Sequence, residues 1–342
     1  MPSYFPNSTQ QVRKTLLCIL YSVVLSLLLS FQPKWGFWAH RHINRLAVYR
    51  LPIDMQYFYK KQIDFITENA VNPDRRRYAI VGEAERHFID LDVYGDSALA
   101  ILPLYWNQAK EKFGEDSLRR HGIVPWYVQT AVFQLTEAMR DRSPSRILRL
   151  SADLGHYVAD ANVPLHTTRN YNGQLTGQEG IHAFWESRIP ERYAEGYEMW
   201  LGSAEYVESP AQAVWGAVAK AHAACDSVLR IEKELSEEFK PDRKYTFVER
   251  NRVLVRTYSD EFTARYATRL DGQVERQMRS SVQLVSDLWY TCWVNAGQPD
   301  LKALAGFKFD EVEKAKEAAD QRSWLQRLLR IRPEADDAPM EN

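Results

Sequence analysis

Histidines set beside acids are the residues of this chain whose types and spacing can do chemistry. His156 and Asp160 stand four apart in Asp153-Leu154-Gly155-His156-Tyr157-Val158-Ala159-Asp160, and His182 and Glu186 repeat that spacing in His182-Ala183-Phe184-Trp185-Glu186. On a helix, residues four apart share a face, about one turn from each other. Two such pairs facing each other across a bundle can hold metal ions between them. Taken alone, a His/acid pair at this spacing is more often an exposed ion pair. Here the neighbours Leu154, Val158, Phe184 and Trp185 are apolar, and His166 follows Pro164, where the chain has turned out of its helix. Imidazole nitrogens and carboxylate oxygens suit zinc. With no cysteine at the cluster, they point to an open catalytic site rather than a closed structural one.

Positioning such pairs requires helices, and helical patterning dominates the chain. Residues 39–50, 55–69, 126–140, 145–160, 212–229 and 274–296 carry apolar side chains at i, i+3, i+4 spacing, and long alternating strand patterns are missing. Ser143-Pro144 supplies a helix start, and Asn162-Val163-Pro164 stops that helix just after Asp160. Residues 167–180, rich in Asn, Gly, Gln and Thr, read as a long functional loop before helix resumes near His182. No repeat, low-complexity tract or Gly/Ser-rich linker divides residues 35 to about 300. The expectation is an all-α, single-domain multi-helix bundle. A hydrophobic share of 45% and a charged share of 26% argue against a disordered chain and a multispanning membrane protein.

The two ends differ from this middle. Residues 1–34 hold Arg13 and Lys14, then an uncharged apolar run over 16–31, and no acid, which is the layout of a secretory signal. The run is shorter than the roughly 20 residues that span a bilayer comfortably. Export to a periplasm or medium is therefore expected. The alternative is an uncleaved membrane anchor, because residues 30–34 lack a small-residue cleavage pattern. Removing the segment takes away Arg13, Lys14 and Lys34 and moves the formal balance from −1 to −4, so net charge indicates no basic nucleic-acid surface. Cys18 has no lipobox-like Gly or Ala before it. Cys225 and Cys292 fit either one disulfide or two buried thiols, and with no C-x-x-C neither belongs to a metal site. Residues 306–342 form a charged extension in which 323–332 read as a short basic amphipathic helix. That helix either docks on the domain or lies on an anionic membrane surface as a peripheral contact. No protein partner is indicated.

The pattern His156-x3-Asp160-x5-His166, followed by His182-x3-Glu186, resembles the metal-binding core of the zinc-dependent phospholipase C and single-strand-specific nuclease superfamily. Trp35-Gly36-Phe37-Trp38-Ala39-His40 resembles the start of its mature nuclease-type members. Asn72-Pro73-Asp74 and Glu85-Arg86-His87-Phe88-Ile89-Asp90 resemble its aspartate and histidine segments in the same order, so the match runs from residue 35 to about 190. The resemblance implies an all-α zinc hydrolase domain over residues 35–305 that binds three zinc ions. Asp74, His87, His156 and Asp160 would hold the first and His166, His182 and Glu186 the second. Trp35 and His40 would hold the third, with Asp160 bridging it to the first. Trp35 would act through its own α-amino nitrogen and carbonyl oxygen, which places the expected cleavage between Lys34 and Trp35.

Three dications would outweigh the carboxylates of Asp74, Asp160 and Glu186, so an anionic phosphodiester would be attracted without a basic patch. Zinc lowers the pKa of bound water from about 15.7 towards roughly 7, which implies a zinc-bound hydroxide as nucleophile. Asp74 and Arg77 are the candidate catalytic residues, Arg77 because its D-x-x-R relation to Asp74 resembles that of a phosphate-clamping arginine in the nuclease members. The plainer reading of Arg75-Arg76-Arg77 is a solvated turn with surface ion pairs. His42, His121 and His222 match no motif, and Asp90 and Asp92 are at most candidates for orienting a ligand. The early Trp35/His40 spacing resembles the nucleases, whereas Glu186 and the short gap from His166 to His182 resemble the phospholipases C. The expected function is phospholipase C-like hydrolysis of phospholipid, with single-stranded nucleic acid as the alternative substrate. A reading of another class is an exported protein that binds zinc or a partner without turnover.

Overall fold

The computed structural model describes residues 37–77, 79–250 and 253–309. Trp35, the signal-like segment and the amphipathic stretch at 323–332 lie outside the described residues. The chain is a mostly helical, multi-helix domain. We label the helices that build the site and its support α1 (Phe37–Arg50), α2 (Ile53–Lys61), α3 (Ile63–Asn69), α4 (Asn72–Arg76), α5 (Val124–Arg140), α6 (Pro144–Asp160), α7 (Pro210–Glu238), α8 (Asp260–Arg269) and α9 (Gln273–Asn295). Shorter helical pieces and turns join them. Among the described residues, no helix is long and apolar enough to cross a membrane.

The centre of the architecture is α6, which packs against α1, α5 and α9. Pro144 opens it, its missing N–H falling where no intrahelical partner exists. Residues 154–160 are buried on every side, which marks a helix enclosed by others. Gly155 lets α1 come close: a Cβ there would stand 1.9 Å from Oδ1 of Asn44. Asn44 is completely buried and donates from Nδ2 to the Ala152 carbonyl at 3.0 Å. On the opposite flank Trp289 of α9 stacks on Tyr59 of α2, with centroids 5.3 Å apart, and donates to the Ser151 carbonyl. Helices from both halves of the sequence thus close on α6.

Two local features depart from the sequence pattern. The helix expected over 55–69 divides at Gln62, whose φ of −114° leaves the helical range. Two runs for which no strand was expected, β1 (Tyr245–Arg250) and β2 (Val253–Tyr258), pair antiparallel, with Tyr245 opposite Tyr258. Their β-branched and aromatic residues suit strands, but two six-residue runs are too short to show as a long alternation. The base of the pair is fixed by Tyr258, which stacks on Phe184 at 3.9 Å. Cys225 and Cys292 are two free, buried thiols.

Candidate metal centre

Every ligand expected from sequence and falling within the described residues lies in one cluster. Nδ1 of His87 stands 2.9 Å from Oδ2 of Asp160, 3.0 Å from Nε2 of His156 and 3.7 Å from Oδ1 of Asp74. Nε2 of His156 is 3.2 Å from the same Asp160 oxygen. Nε2 of His182 is 2.6 Å from Oε2 of Glu186 and 3.0 Å from Nε2 of His166. His40, on the first turn of α1, places Nε2 3.4 Å from Oδ1 of Asp160 and 3.6 Å from Oε1 of Glu186. The two oxygens of Asp160 are therefore divided: Oδ2 faces His87 and His156, and Oδ1 faces His40 and His166. Glu186 reaches both the His166/His182 pair and His40, a second carboxylate for His40 that the sequence did not reveal.

The local fold explains these positions. Asp160 ends α6 one turn after His156, and the Pro164 turn brings His166 back, with its carbonyl accepting from Ile89 at 2.9 Å. That bond ties the His87 segment to the His166 segment. Glu186 lies in a single π-helical turn, Phe184–Arg188. Pro190 has no N–H to offer the Glu186 carbonyl, so the α-helical ladder cannot continue there and the chain takes the wider turn. His40 stacks on His156 with centroids 4.0 Å apart, an approach made available by the small Gly155.

This donor set fits a metal ion. The ring of His156 offers Nδ1 to the Ala70 carbonyl at 2.9 Å, so the hydrogen sits there and Nε2 turns a lone pair into the cluster. Lone pairs of nitrogen and carboxylate oxygen converge in a nearly water-free space, which is repulsive unless a cation or proton lies between them. Two ligand atoms about 2.1 Å from one tetrahedral ion stand about 3.4 Å apart, within the range of the separations above. His87, His156 and Asp160 form one such group, His166, His182 and Glu186 another, and His40, Asp160 and Glu186 a third, with ligand atoms in each group within 4.8 Å of one another. These groups can hold metal.

Burial governs the protonation of the cluster. It keeps His156 below the ordinary imidazole range and lifts Asp160 to about 7, against the pull of His166 and His40. Burial also opposes ionisation of Glu186, but hydrogen bonds with His166, His182 and His40 outweigh it and hold that carboxylate well below its usual range.

The remaining sequence candidates lie around this core. Arg77 caps α4, three residues beyond Asp74; its side chain is half-buried and makes no ion pair among the described residues. His42 stacks on Trp38, His121 lies 3.8 Å from Asp90, and His222 meets the Thr167 hydroxyl, all away from the cluster. Asp92 does not touch a ligand. It holds the loop after His166, accepting from the Thr168 hydroxyl and the Arg169 amide. At the far end of that loop, Gln178 donates to Glu232 of α7. Glu232 is completely buried, accepts from Tyr258 and Ser236, and pairs with Lys244 at 2.8 Å.

Sequence reasoning missed Glu83. It is completely buried, pairs with Arg76 and Arg86, and stands 3.9 Å from Nε2 of His87. The signal was present: Glu83 and His87 are four apart, with the acid first. Compared with known proteins, the chain matches no family model and no curated protein.

Proposed function

We propose that this chain is a zinc-dependent phosphodiester hydrolase of phospholipase C type. The observation that carries the reading is the shared carboxylate. Asp160 turns one oxygen to each of two ligand groups, and Glu186 closes a third group around His40, which is the arrangement a multi-ion phosphodiesterase needs. In this assignment Asp74, His87, His156 and Asp160 would hold one zinc, His166, His182 and Glu186 a second, and His40 with Asp160 a third, for which the family resemblance implies Trp35 as a further ligand. Bound zinc would lower the pKa of water and polarise the phosphoryl oxygens.

The protein's own groups do the rest. Asp74, 3.7 Å from His87 and 3.9 Å from His156, is the carboxylate proposed to take the proton from the attacking water. Arg77, without an ion pair among the described residues, is available to clamp a phosphate oxygen through its forked donors. The surrounding helices bury these side chains in a nearly dry centre, where charge interactions are stronger than in water.

Glu186 favours phospholipid over nucleic acid through the family resemblance. One observation favours the nuclease reading: the ring of Tyr171, 49% exposed, lies 6.2 Å from the His182 ring, where a base can stack. The test is to purify the exported protein, read its first residue and metal content, and assay phosphatidylcholine vesicles and single-stranded DNA in parallel. Chelator-sensitive release of phosphocholine is the expected result, and DNA cleavage alone would move the assignment to the nuclease. Metal-loaded protein that turns over neither substrate nor a generic phosphodiester would refute hydrolysis and leave a zinc-binding or partner-binding protein.

A further inference from the structure

We infer that the β1–β2 pair is a membrane-docking element, which seats Phe247 and Leu254 in the surface of a bilayer containing anionic phospholipid. The inference stands apart from the hydrolase reading, which supplies only a use for it. Side chains alternate between the two faces of a strand. Tyr245, Phe247 and Glu249 of β1 therefore share a face with Leu254, Arg256 and Tyr258 of β2. Phe247 stands opposite Arg256 and Leu254 opposite Glu249, so Phe247 and Leu254 are diagonal neighbours. At one end this face is buried, where Tyr258 stacks on Phe184. Further along it, Phe247 is 66% and Leu254 70% exposed. A two-stranded pair adds little stability of its own, and exposed strands ordinarily carry charged residues to discourage association. Two large apolar side chains side by side on such a face mark a contact.

Charge selects the partner. Between Tyr245 and Tyr258 the sequence holds Arg250, Arg252 and Arg256 against Glu249 alone, in a chain whose formal balance is −1. The exposed Arg256 guanidinium lies over the Tyr245 ring at 4.3 Å, within the same face. Arg243 and Lys244, just before this stretch, pair with Glu261 and Glu232 and add nothing to it. Apolar side chains set among arginines suit the boundary between anionic headgroups and acyl chains. A protein strand would instead pair with the open strand edges through its backbone and would have no need of the arginines. The base of the pair also reaches the candidate metal centre. Tyr258 stacks on Phe184, two residues before Glu186, and donates to Glu232, which accepts from Gln178 at the end of the loop leading to His182. Docking here ties the segment that carries His182 and Glu186 to the lipid surface.

The test sediments the full chain with vesicles of phosphatidylcholine alone and of phosphatidylcholine mixed with phosphatidylglycerol, and bound protein is counted without reference to lipid hydrolysis. The mixed vesicles should bind the chain more tightly, and added salt should weaken that binding. Replacing both apolar residues, Phe247→Ser with Leu254→Ser, should weaken it at least about 10-fold. On mixed vesicles Arg256→Gln should bind about five-fold more weakly and Glu249→Gln about five-fold more tightly. A misfolded variant cannot produce that gain. Binding that survives the double replacement, or that neither charge variant moves, would overturn the inference and assign the contact to the amphipathic stretch at 323–332. A chain that binds neither vesicle would also overturn it and leave the face to a protein partner. Vesicle binding without turnover would refute the hydrolase and keep the docking face, whereas turnover of a soluble phosphodiester by a chain that ignores vesicles would do the reverse.

Discussion

Adding one methyl group at Gly155 sets two buried helices against each other. The new Cβ would stand 1.9 Å from Oδ1, 2.7 Å from Cγ and 2.9 Å from Nδ2 of Asn44, where ordinary contact begins at 3.4 Å. Asn44 is completely buried between α1 and α6, so its amide can leave only by breaking its bond to the Ala152 carbonyl or by pushing α1 outward. Overpacking of this kind costs about 1–3 kcal/mol. Stranding a buried amide costs about another 1–3 kcal/mol, and exchanging Gly for Ala inside a helix returns about 1 kcal/mol. The net expectation for Gly155→Ala is a loss of about 3 kcal/mol, a large part of the stability of an ordinary domain. The assay is urea unfolding of chelator-treated protein, so that metal binding to the folded state does not mask the change. With a slope of about 3 kcal/mol per molar, the midpoint should fall by about 1 M. Asn44→Ala alone should lose only its hydrogen bond, about 1 kcal/mol, and the double variant should resemble it, because the clash is gone. A Gly155→Ala protein as stable as wild type, or a double variant no better than Gly155→Ala, would refute close packing as the role of Gly155.

Three further outcomes are expected. Arg77→Ala should keep its metal content while kcat/KM on a phosphodiester falls about 10- to 100-fold; unchanged kinetics would return Arg77 to an ordinary surface turn. Burial pushes Cys225 and Cys292 to about 12, so both should resist alkylation in native protein and react after denaturation, as peptide mass spectrometry would read. Burial, with Asp92 beside it, lifts Asp90 to about 7. A carboxyl raised on folding adds stability below its unfolded value, near 3.8, and that contribution is lost as pH rises through about 7. Asp90→Asn should therefore raise the urea midpoint most at pH 8 and progressively less at pH 6 and pH 5, and a gain independent of pH would contradict the cause assigned.

The helices carrying His40 and the His156/Asp160 pair were legible in the sequence from their apolar period, and for the second a proline start and a proline stop agreed with it. The expected helix over 145–160 differs from α6 only by Pro144 at its start, and both His156 and Asp160 face inward as their spacing requires. What escaped was set by contacts between distant segments. The break at Gln62 has no Gly or Pro to announce it, and Gln62 meets the Phe307 carbonyl 245 residues away. The pairing of β1 with β2 depends on Tyr258 finding Phe184 and Glu232. The spacing of four between Glu83 and His87 was visible, but the burial of Glu83 was not, because Tyr157, which covers it with Arg76 and Arg86, comes from α6, 74 residues away.

The loop between His166 and His182 is tied down at both ends, to Asp92 in front and to the buried Glu232 behind. It is stiffened from within by Asn170, which bonds to Thr176 and Leu175. Swinging it aside would strip a donor from a buried carboxylate, so the segment is a wall and not a lid. Under the proposed hydrolase function, a substrate would meet a rim already shaped, with little chain left to order on arrival, and turnover would not wait for this segment to open and close.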